Sequence, residues 1–374
     1  MGFYRRQNRT YCEIYATKGG LRKMKFIDFF SGIGGFRLGM EMAGHECVGH
    51  CEYDKFAEKS YRAMHDTKED EWYAKDIREV RAKDVPRADV WCFGFPCQDI
   101  SVAGKQRGFE GERSSLFFTV TNLIRWTKKE NRPRYLLIEN VKNFFSVNGG
   151  WDFLKAQIEL DEIGYDVEWQ LLNSKDFGVP QNRERVFIVG HLRGRSRREV
   201  FPITQSDGIY NEQGQNKETN NENSLCLTAK GQTNWTGSFI KVVGCLDRPK
   251  YHESSNRVYG IDGISPCQNT NQGGGHETKI AIPVLTPDRL EKRQNGRRFK
   301  TDGEPIFTLT GQDRHGVSNG TRIRKLTPRE CFRLQGWTDE YFDRAAEVNS
   351  DSQLYKQAGN GVTVTVIYEI AKKF

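Results

Sequence analysis

Cys97 is the residue of this chain best placed to attack carbon. It follows Pro96 within FGFPCQDIS, residues 93–101. The apolar run ADVWCFGF (88–95) reads as a buried strand. Proline has no N–H to give a sheet ladder, so Pro96 ends that strand. Cys97 therefore falls at a strand end, where an open α/β sheet places its chemistry. A thiol at a sharp turn, near backbone N–H groups, ionises readily, and the thiolate is the nucleophile. Taken alone, a Pro-Cys pair also reads as a buried, inert core cysteine. The next buried strand, RYLLI (134–138), ends in Glu139-Asn140-Val141. It supplies a carboxylate at the neighbouring strand tip, the natural second catalytic group.

Three acidic residues mark the ends of the earlier strands. Residues 25–30 read as a strand with Asp28 near its end, and Ser31-Gly32-Ile33-Gly34-Gly35 as a tight turn into a helix. The glycines run GxGG rather than GxGxxG, so no pyrophosphate cradle is expected. Glu52 follows a strand over 45–51, at about the offset where a carboxylate binds a ribose hydroxyl pair. Asp76-Ile77 stands at the next strand-to-helix joint, suited to an adenine edge. Three carboxylates at consecutive strand ends suit a nucleoside without phosphates, and S-adenosylmethionine fits that better than NAD or ATP.

Further on, GVPQNRER (178–185) separates two strands, at 166–173 and 185–190. Gln181, Arg183 and Arg185 alternate there, which predicts one shared face with two arginines for phosphates. From about residue 191 the chain becomes rich in Gly, Asn, Gln, Thr and Ser. Three stretches look alike: SLCLTAKGQT (224–233), GISPCQNTNQGGGHETKI (263–280) and EPIFTLTGQDRHGV (304–317). They read as hairpins whose loops present Gln268, Asn269, Gln272, His276, Gln312, Arg314 and His315 to base edges. In RKLTPRECFRLQGW (324–337), Thr327, Pro328 and Glu330 spell a capped helix start. AGNGV (358–362) makes a glycine turn before a last helix.

The elements that must position these groups form a discontinuous α/β unit. The expected organisation is an extension or tag over 1–23, a catalytic and cofactor-binding domain over 24–192, a target-recognition domain over 193–321 and a return to the catalytic domain over 322–374. The 374 residues, 36% hydrophobic and 28% charged, provide for such a core. The +8 charge, concentrated in HLRGRSRR (191–198) and PDRLEKRQNGRRFK (287–300), favours a polyanionic partner. No apolar run approaches a membrane span, and no signal peptide is visible. Nine cysteines without close pairing point to a reducing compartment. Cys47 and Cys51 are spaced as metal ligands, but no second pair completes the set, so no metal is expected.

The ordered set DFFSGIGGFR (28–37), Glu52, Asp76, GFPCQDIS, Glu139-Asn140-Val141, QNRER, RKLTPRECFRLQG and AGNGV resembles the DNA (cytosine-5)-methyltransferase family, of the prokaryotic restriction-modification or phage type. The resemblance covers both ends of residues 24–374. It implies a Rossmann-like S-adenosylmethionine-dependent domain carrying an inserted, smaller, β-rich recognition domain. Cys97 would attack carbon 6 of a cytosine flipped from the duplex, and Glu139 would hold the base's N3 and amino group. Arg183 and Arg185 would bind the flipped nucleotide, with Gln98 and Ser101 also on DNA. Phe30 would pack on the cofactor's adenine, within a site of Asp28, Ser31, Gly32, Gly34, Gly35, Glu52, Tyr53, Asp76, Ile77, Pro96, Asn360 and Val362. The product is S-adenosylhomocysteine. Gly361 stands where the family often has serine, and Lys75 where glycine is common.

The implied partner is double-stranded DNA, met by a cytoplasmic monomer in a prokaryotic cell. A cognate restriction endonuclease would be a functional rather than a physical partner. An RNA methyltransferase of the same family would share Cys97 and Glu139, but an inserted recognition domain favours duplex DNA. A non-enzymatic DNA-binding regulator has no need of Cys97, Glu139 and a cofactor-type glycine turn together.

Overall fold

The computed structural model describes residues 23–96, 116–195, 198–203, 297–301, 304–318 and 323–374, with strand residues 242–245, 257–259, 279–280 and 282–285 and residue 287. Cys97, Gln98, Ser101, Gln268, Asn269, Gln272 and His276 lie outside them. The centre is a seven-stranded sheet in the order β3-β2-β1-β4-β5-β7-β6. Its strands are β1 (Lys25–Phe29), β2 (Glu46–Cys51), β3 (Trp72–Ala74), β4 (Val90–Phe93), β5 (Tyr135–Val141), β6 (Tyr165–Asn173) and β7 (Glu184–Leu192). The first five are mutually parallel, and β7 runs antiparallel to both of its neighbours. The chain order reverses between β1 and β4, and such a switch point opens a crevice beyond the strands' carboxyl ends.

Both faces of the sheet are covered, which is why β1, β4 and β5 read as continuous apolar runs. On one face Ile27, Phe29, Trp91, Phe93, Leu136 and Ile138 pack under α3 (Leu116–Trp126) and α4 (Trp151–Glu162). On the other, Phe26, Val90, Cys92 and Leu137 pack under α1 (Gly35–Met42) and α8 (Val364–Ala371). Gly39 lets those two helices touch: a Cβ there would sit 2.6 Å from Ile367 Cβ.

A third core joins Ile33, Leu38 and Met64 of the N-terminal half to Phe332, Trp337, Phe342 and Leu354. Ile33 and Leu38 come from α1 and the loop before it, and the others from α2 (Lys55–Met64), α5 (Pro328–Arg333), α6 (Asp339–Ala346) and α7 (Asp351–Asn360) and their flanks. The capping box of α5 is present, with Thr327 and Glu330 each bonded to the other's backbone N–H. The C-terminal segment thus returns to the same α/β unit.

Among the described residues, six shorter strands fall between β7 and α5. β8 (Val242–Cys245), β9 (Arg257–Tyr259) and β10 (Lys279–Ile280) form one small sheet, and β11 (Ile282–Val284), β12 (Gly316–Ser318) and β13 (Ile323–Lys325) another. The stretch 304–317 differs from the expected hairpin. Its apolar residues Ile306 and Leu309 are buried in the third core instead, and only Gly316 and Val317 join a strand. Its backbone is held by Pro180 and Asn182: Ile306 N–H donates to the Pro180 carbonyl, and Asn182 N–H to that of Ile306. No helix among the described residues is long and apolar enough to cross a membrane.

Candidate active site

Strand register sets out the site along one edge. Phe29 pairs with Cys51 and with Phe93, Cys51 with Ala74, and Phe93 with Ile138. The next residues along are Phe30, Glu52, Lys75 and Gly94, just past their strands, and Glu139, still within β5. Asp76 and Pro96 follow one and two residues later, and Cys97 is next after Pro96.

The loop after β1 is shaped by backbone conformations that side chains rarely adopt. Phe30 (φ 54°), Gly32 (φ 57°) and Gly34 (φ 85°) are all left-handed. A non-glycine residue held there marks a surrounding structure that enforces it. Gly34 also has no room for a side chain, since a Cβ would lie 2.3 Å from His65 Nε2. That nitrogen is 3.0 Å from the Ile33 carbonyl oxygen, and burial pushes the His65 pKa down to about 3, so the neutral ring donates to the carbonyl.

Glu52 fastens this loop to the next. One of its oxygens accepts from Gly32 N–H and the other from Asp54 N–H, both at 2.7 Å. Burial raises its pKa, and the two N–H groups oppose the rise. Asp76 caps the turn Ile77–Glu79, accepting from Arg78 N–H and from the Arg78 guanidinium. That guanidinium holds its carboxyl below the usual carboxylate range. Tyr53 is exposed, with Arg78 5.8 Å from its ring centroid.

Asp28 is wholly buried, and neither of its oxygens has a hydrogen-bond partner. Burial pushes its carboxyl up to about 8; His50 and the Arg37 amide and guanidinium pull the other way, outside bonding geometry. The Ser31 hydroxyl is likewise buried without a partner. Orphaned polar oxygens beside a glycine loop, a ribose-type carboxylate and an exposed aromatic ring fit a nucleoside bearing a cationic tail. Val362 approaches the end of the same loop from the C-terminal segment: a Cβ on Gly35 would lie 2.6 Å from the Val362 carbonyl oxygen, whereas Asn360 stands against Gly311.

On the other side of the crevice, Glu139 and Arg185 form an ion pair at 2.9 Å, both largely buried. Glu139 opposes Phe187 and Val141 opposes Arg185 across β5 and β7, so these side chains share one face. Gly94 makes room for the carboxylate; a Cβ there would stand 3.2 Å from Glu139 Oε2. Asn140, buried, donates from its amide to the Phe95 carbonyl at 3.3 Å. It thereby ties the tip of β5 to the turn that leads into Cys97. Gly94 and Asn140 were not singled out as site residues from sequence. Neither carries a reactive group, and their only signal was position beside Cys97 and Glu139.

Arg183 departs from expectation. β7 begins at Glu184, so the alternation of Gln181, Arg183 and Arg185 does not extend across a strand. Arg183 is buried, and its guanidinium donates to the carbonyls of Leu309, Gly359 and Gly361. His315 is also buried, its Nε2 donating to the Thr308 carbonyl, with its pKa lowered by burial. Gln312 is exposed, and Arg314 lies over the Tyr355 ring. Four further cysteines, Cys47, Cys51, Cys92 and Cys331, are buried, and burial raises each thiol's pKa.

The profile of the C-5 cytosine-specific DNA methylases matches residues 24–374. The orphan methyltransferase M.SPRI of Bacillus phage SPR is 34% identical, with 94% of this chain and 97% of that protein covered. The type II methyltransferase M.HhaI of Haemophilus parahaemolyticus is 30% identical, with 94% of each covered. Among solved structures, the Dnmt2 methyltransferase of S. pombe shares the fold, with a TM-score of 0.56 at 18% identity over 93% of this chain and 98% of that one. Likeness that runs nearly end to end, over a sheet whose strand tips carry the motif residues, has one reading: the chain belongs to the C-5 cytosine-specific DNA methylase family.

Proposed function

We propose that this DNA cytosine methyltransferase moves a methyl group from S-adenosylmethionine to carbon 5 of a cytosine flipped out of duplex DNA, at a site read by residues 193–321. The observation that carries the reading is the Glu139–Arg185 pair beside Gly94, at the strand end three residues before Cys97.

The Cys97 thiolate bonds to carbon 6 of the base. The displaced ring electrons move toward N3, where a proton held between Glu139 and N3 neutralises them. Arg185 fixes the plane of the Glu139 carboxylate, so the hydrogen bonds to N3 and the amino group are aimed before the base arrives. Carbon 5 is then nucleophilic. When bound, S-adenosylmethionine supplies an electrophilic methyl group on a sulfonium. A base removes the carbon-5 proton, the carbon–sulfur bond breaks, and Cys97 departs as thiolate. The cofactor would lie across Phe30, Gly32, Glu52, Tyr53 and Asp76, with Asp28 and Ser31 beneath the loop. These residues sit on a rigid sheet edge, which favours positioning within a fraction of an ångström.

Modified DNA would resist an endonuclease that reads the same site. The relatives include proteins named orphan methyltransferases and others named type II methyltransferases. The chain would act as a monomer in a prokaryotic cytoplasm.

The test is a duplex carrying 5-fluorocytosine. Fluorine at carbon 5 cannot leave as a proton does, so a covalent protein–DNA adduct should accumulate with cofactor present. Cys97→Ala should form none, and its transfer of labelled methyl should fall by about a thousandfold or more. A stable adduct with Cys97→Ala would point to another nucleophile and overturn the mechanism.

A further inference from the structure

Arg183 joins two separate segments. Its guanidinium donates to the Leu309 carbonyl at 2.8 Å on one side, and to those of Gly359 (3.2 Å) and Gly361 (2.8 Å) on the other. Gln181, fully buried, grips the same segment: Leu309 N–H donates to its side-chain oxygen at 3.0 Å, and its amide donates to the Leu334 carbonyl at 2.8 Å. The two segments also meet without a gap. A Cβ on Gly359 would lie 2.1 Å from the Thr310 carbonyl carbon, and one on Gly311 2.6 Å from Asn360 Oδ1. Backbone at 310–311 therefore sets where the Asn360 side chain points. Gln312 is the next residue, and Arg314 rests 4.8 Å from the Tyr355 ring centroid on α7 itself.

We infer that Arg183, Gln181 and Gly311 are positioning residues that clamp residues 308–311, in the last part of the recognition region, onto the end of α7 and the turn after it, Gly359–Val362, at the proposed cofactor site. The inference rests on the function proposed above. A duplex against residues 312–314 and a cofactor against 360–362 then bear on two sides of one piece of backbone. Whichever ligand binds first meets the cost of ordering it. Linkage requires each ligand to raise the other's affinity by the same factor. Arginine is needed because its planar fork reaches carbonyls of both segments at once; a lysine keeps the charge but not the fork.

The full-length protein tests this by calorimetry with S-adenosylhomocysteine, alone and with a short duplex carrying the site mapped by bisulfite sequencing. The ratio of the two dissociation constants should be about fivefold or more in the wild type. It should fall towards one in Gly311→Ala, where the added methyl displaces only the end of Asn360, and in Arg183→Lys. Gly311→Ala should keep the wild-type unfolding midpoint, so loss of coupling is not loss of fold. A wild-type ratio of one, or a wild-type ratio retained by both folded variants, overturns the clamp. Wild-type protein that binds no S-adenosylhomocysteine overturns the functional reading beneath it instead.

Discussion

Glu139 and Arg185, both largely buried, meet at 2.9 Å across β5 and β7. Antiparallel pairing brings them to one face, and a charge-assisted bond locks the carboxylate. In a double-mutant cycle on kcat/KM, Glu139→Gln and Arg185→Ala should be non-additive. The expected coupling is about 1.5–3 kcal/mol. Additive effects would mean that Arg185 serves the DNA backbone rather than the carboxylate.

Glu52 and Asp76 should differ in their effect on cofactor binding. Glu52 satisfies two backbone N–H groups, those of Gly32 and Asp54, in the loops after β1 and β2, whereas Asp76 is engaged by the exposed Arg78. Glu52→Ala should weaken S-adenosylmethionine binding by about 1–3 kcal/mol and Asp76→Ala by less. Calorimetry that ranks them in the reverse order would place the ribose contact on Asp76.

Asp28 makes stability fall with rising pH. Its folded pKa of about 8 lies above that of an unfolded aspartate, so the folded state holds the proton more tightly. The contribution is full below about pH 4 and lost as pH rises to about 8. Asp28→Asn does not titrate. Its unfolding free energy relative to wild type should therefore improve between pH 5 and 8.5, by on the order of 4 kcal/mol. A difference that stays flat across that range would show that Asp28 is ionised in the folded protein.

Where a recognition graft should end follows from Ile306 and Leu309. Both are buried in the third core, and Leu309 is bonded to Gln181 and Arg183. Transplanting residues 193–303 onto a relative of known specificity should give an active hybrid with altered site preference. Transplanting 193–321 should cost activity, because it replaces the segment that packs on the host's own residues. Equal activity of the two hybrids would show that 304–311 is interchangeable.

Much of this arrangement was readable because chemistry and chain punctuation coincide. Thr327, Pro328 and Glu330 announce the start of α5 through local hydrogen bonding alone. Glu139 stood out as a carboxylate ending an apolar run. Arg183 precedes the strand by one residue, and its carbonyl partners at Leu309, Gly359 and Gly361 lie far along the chain, where no local pattern points to them. The stretch 304–317 misled because its apolar residues are buried against a core assembled from distant parts of the chain. Gly94 and Asn140 act through absence of a side chain and through a bond to backbone, which a single sequence does not advertise.

The burial of Cys47, Cys51, Cys92 and Cys331 has a practical side. Burial keeps each as the neutral thiol well into alkaline solution, shielded by packed side chains. An electrophilic label added to the folded protein meets none of them as a thiolate. Sulfur labelling of this chain is thereby narrowed to its remaining cysteines, and protection of a label on Cys97 by bound DNA becomes a direct footprint of the proposed nucleophile.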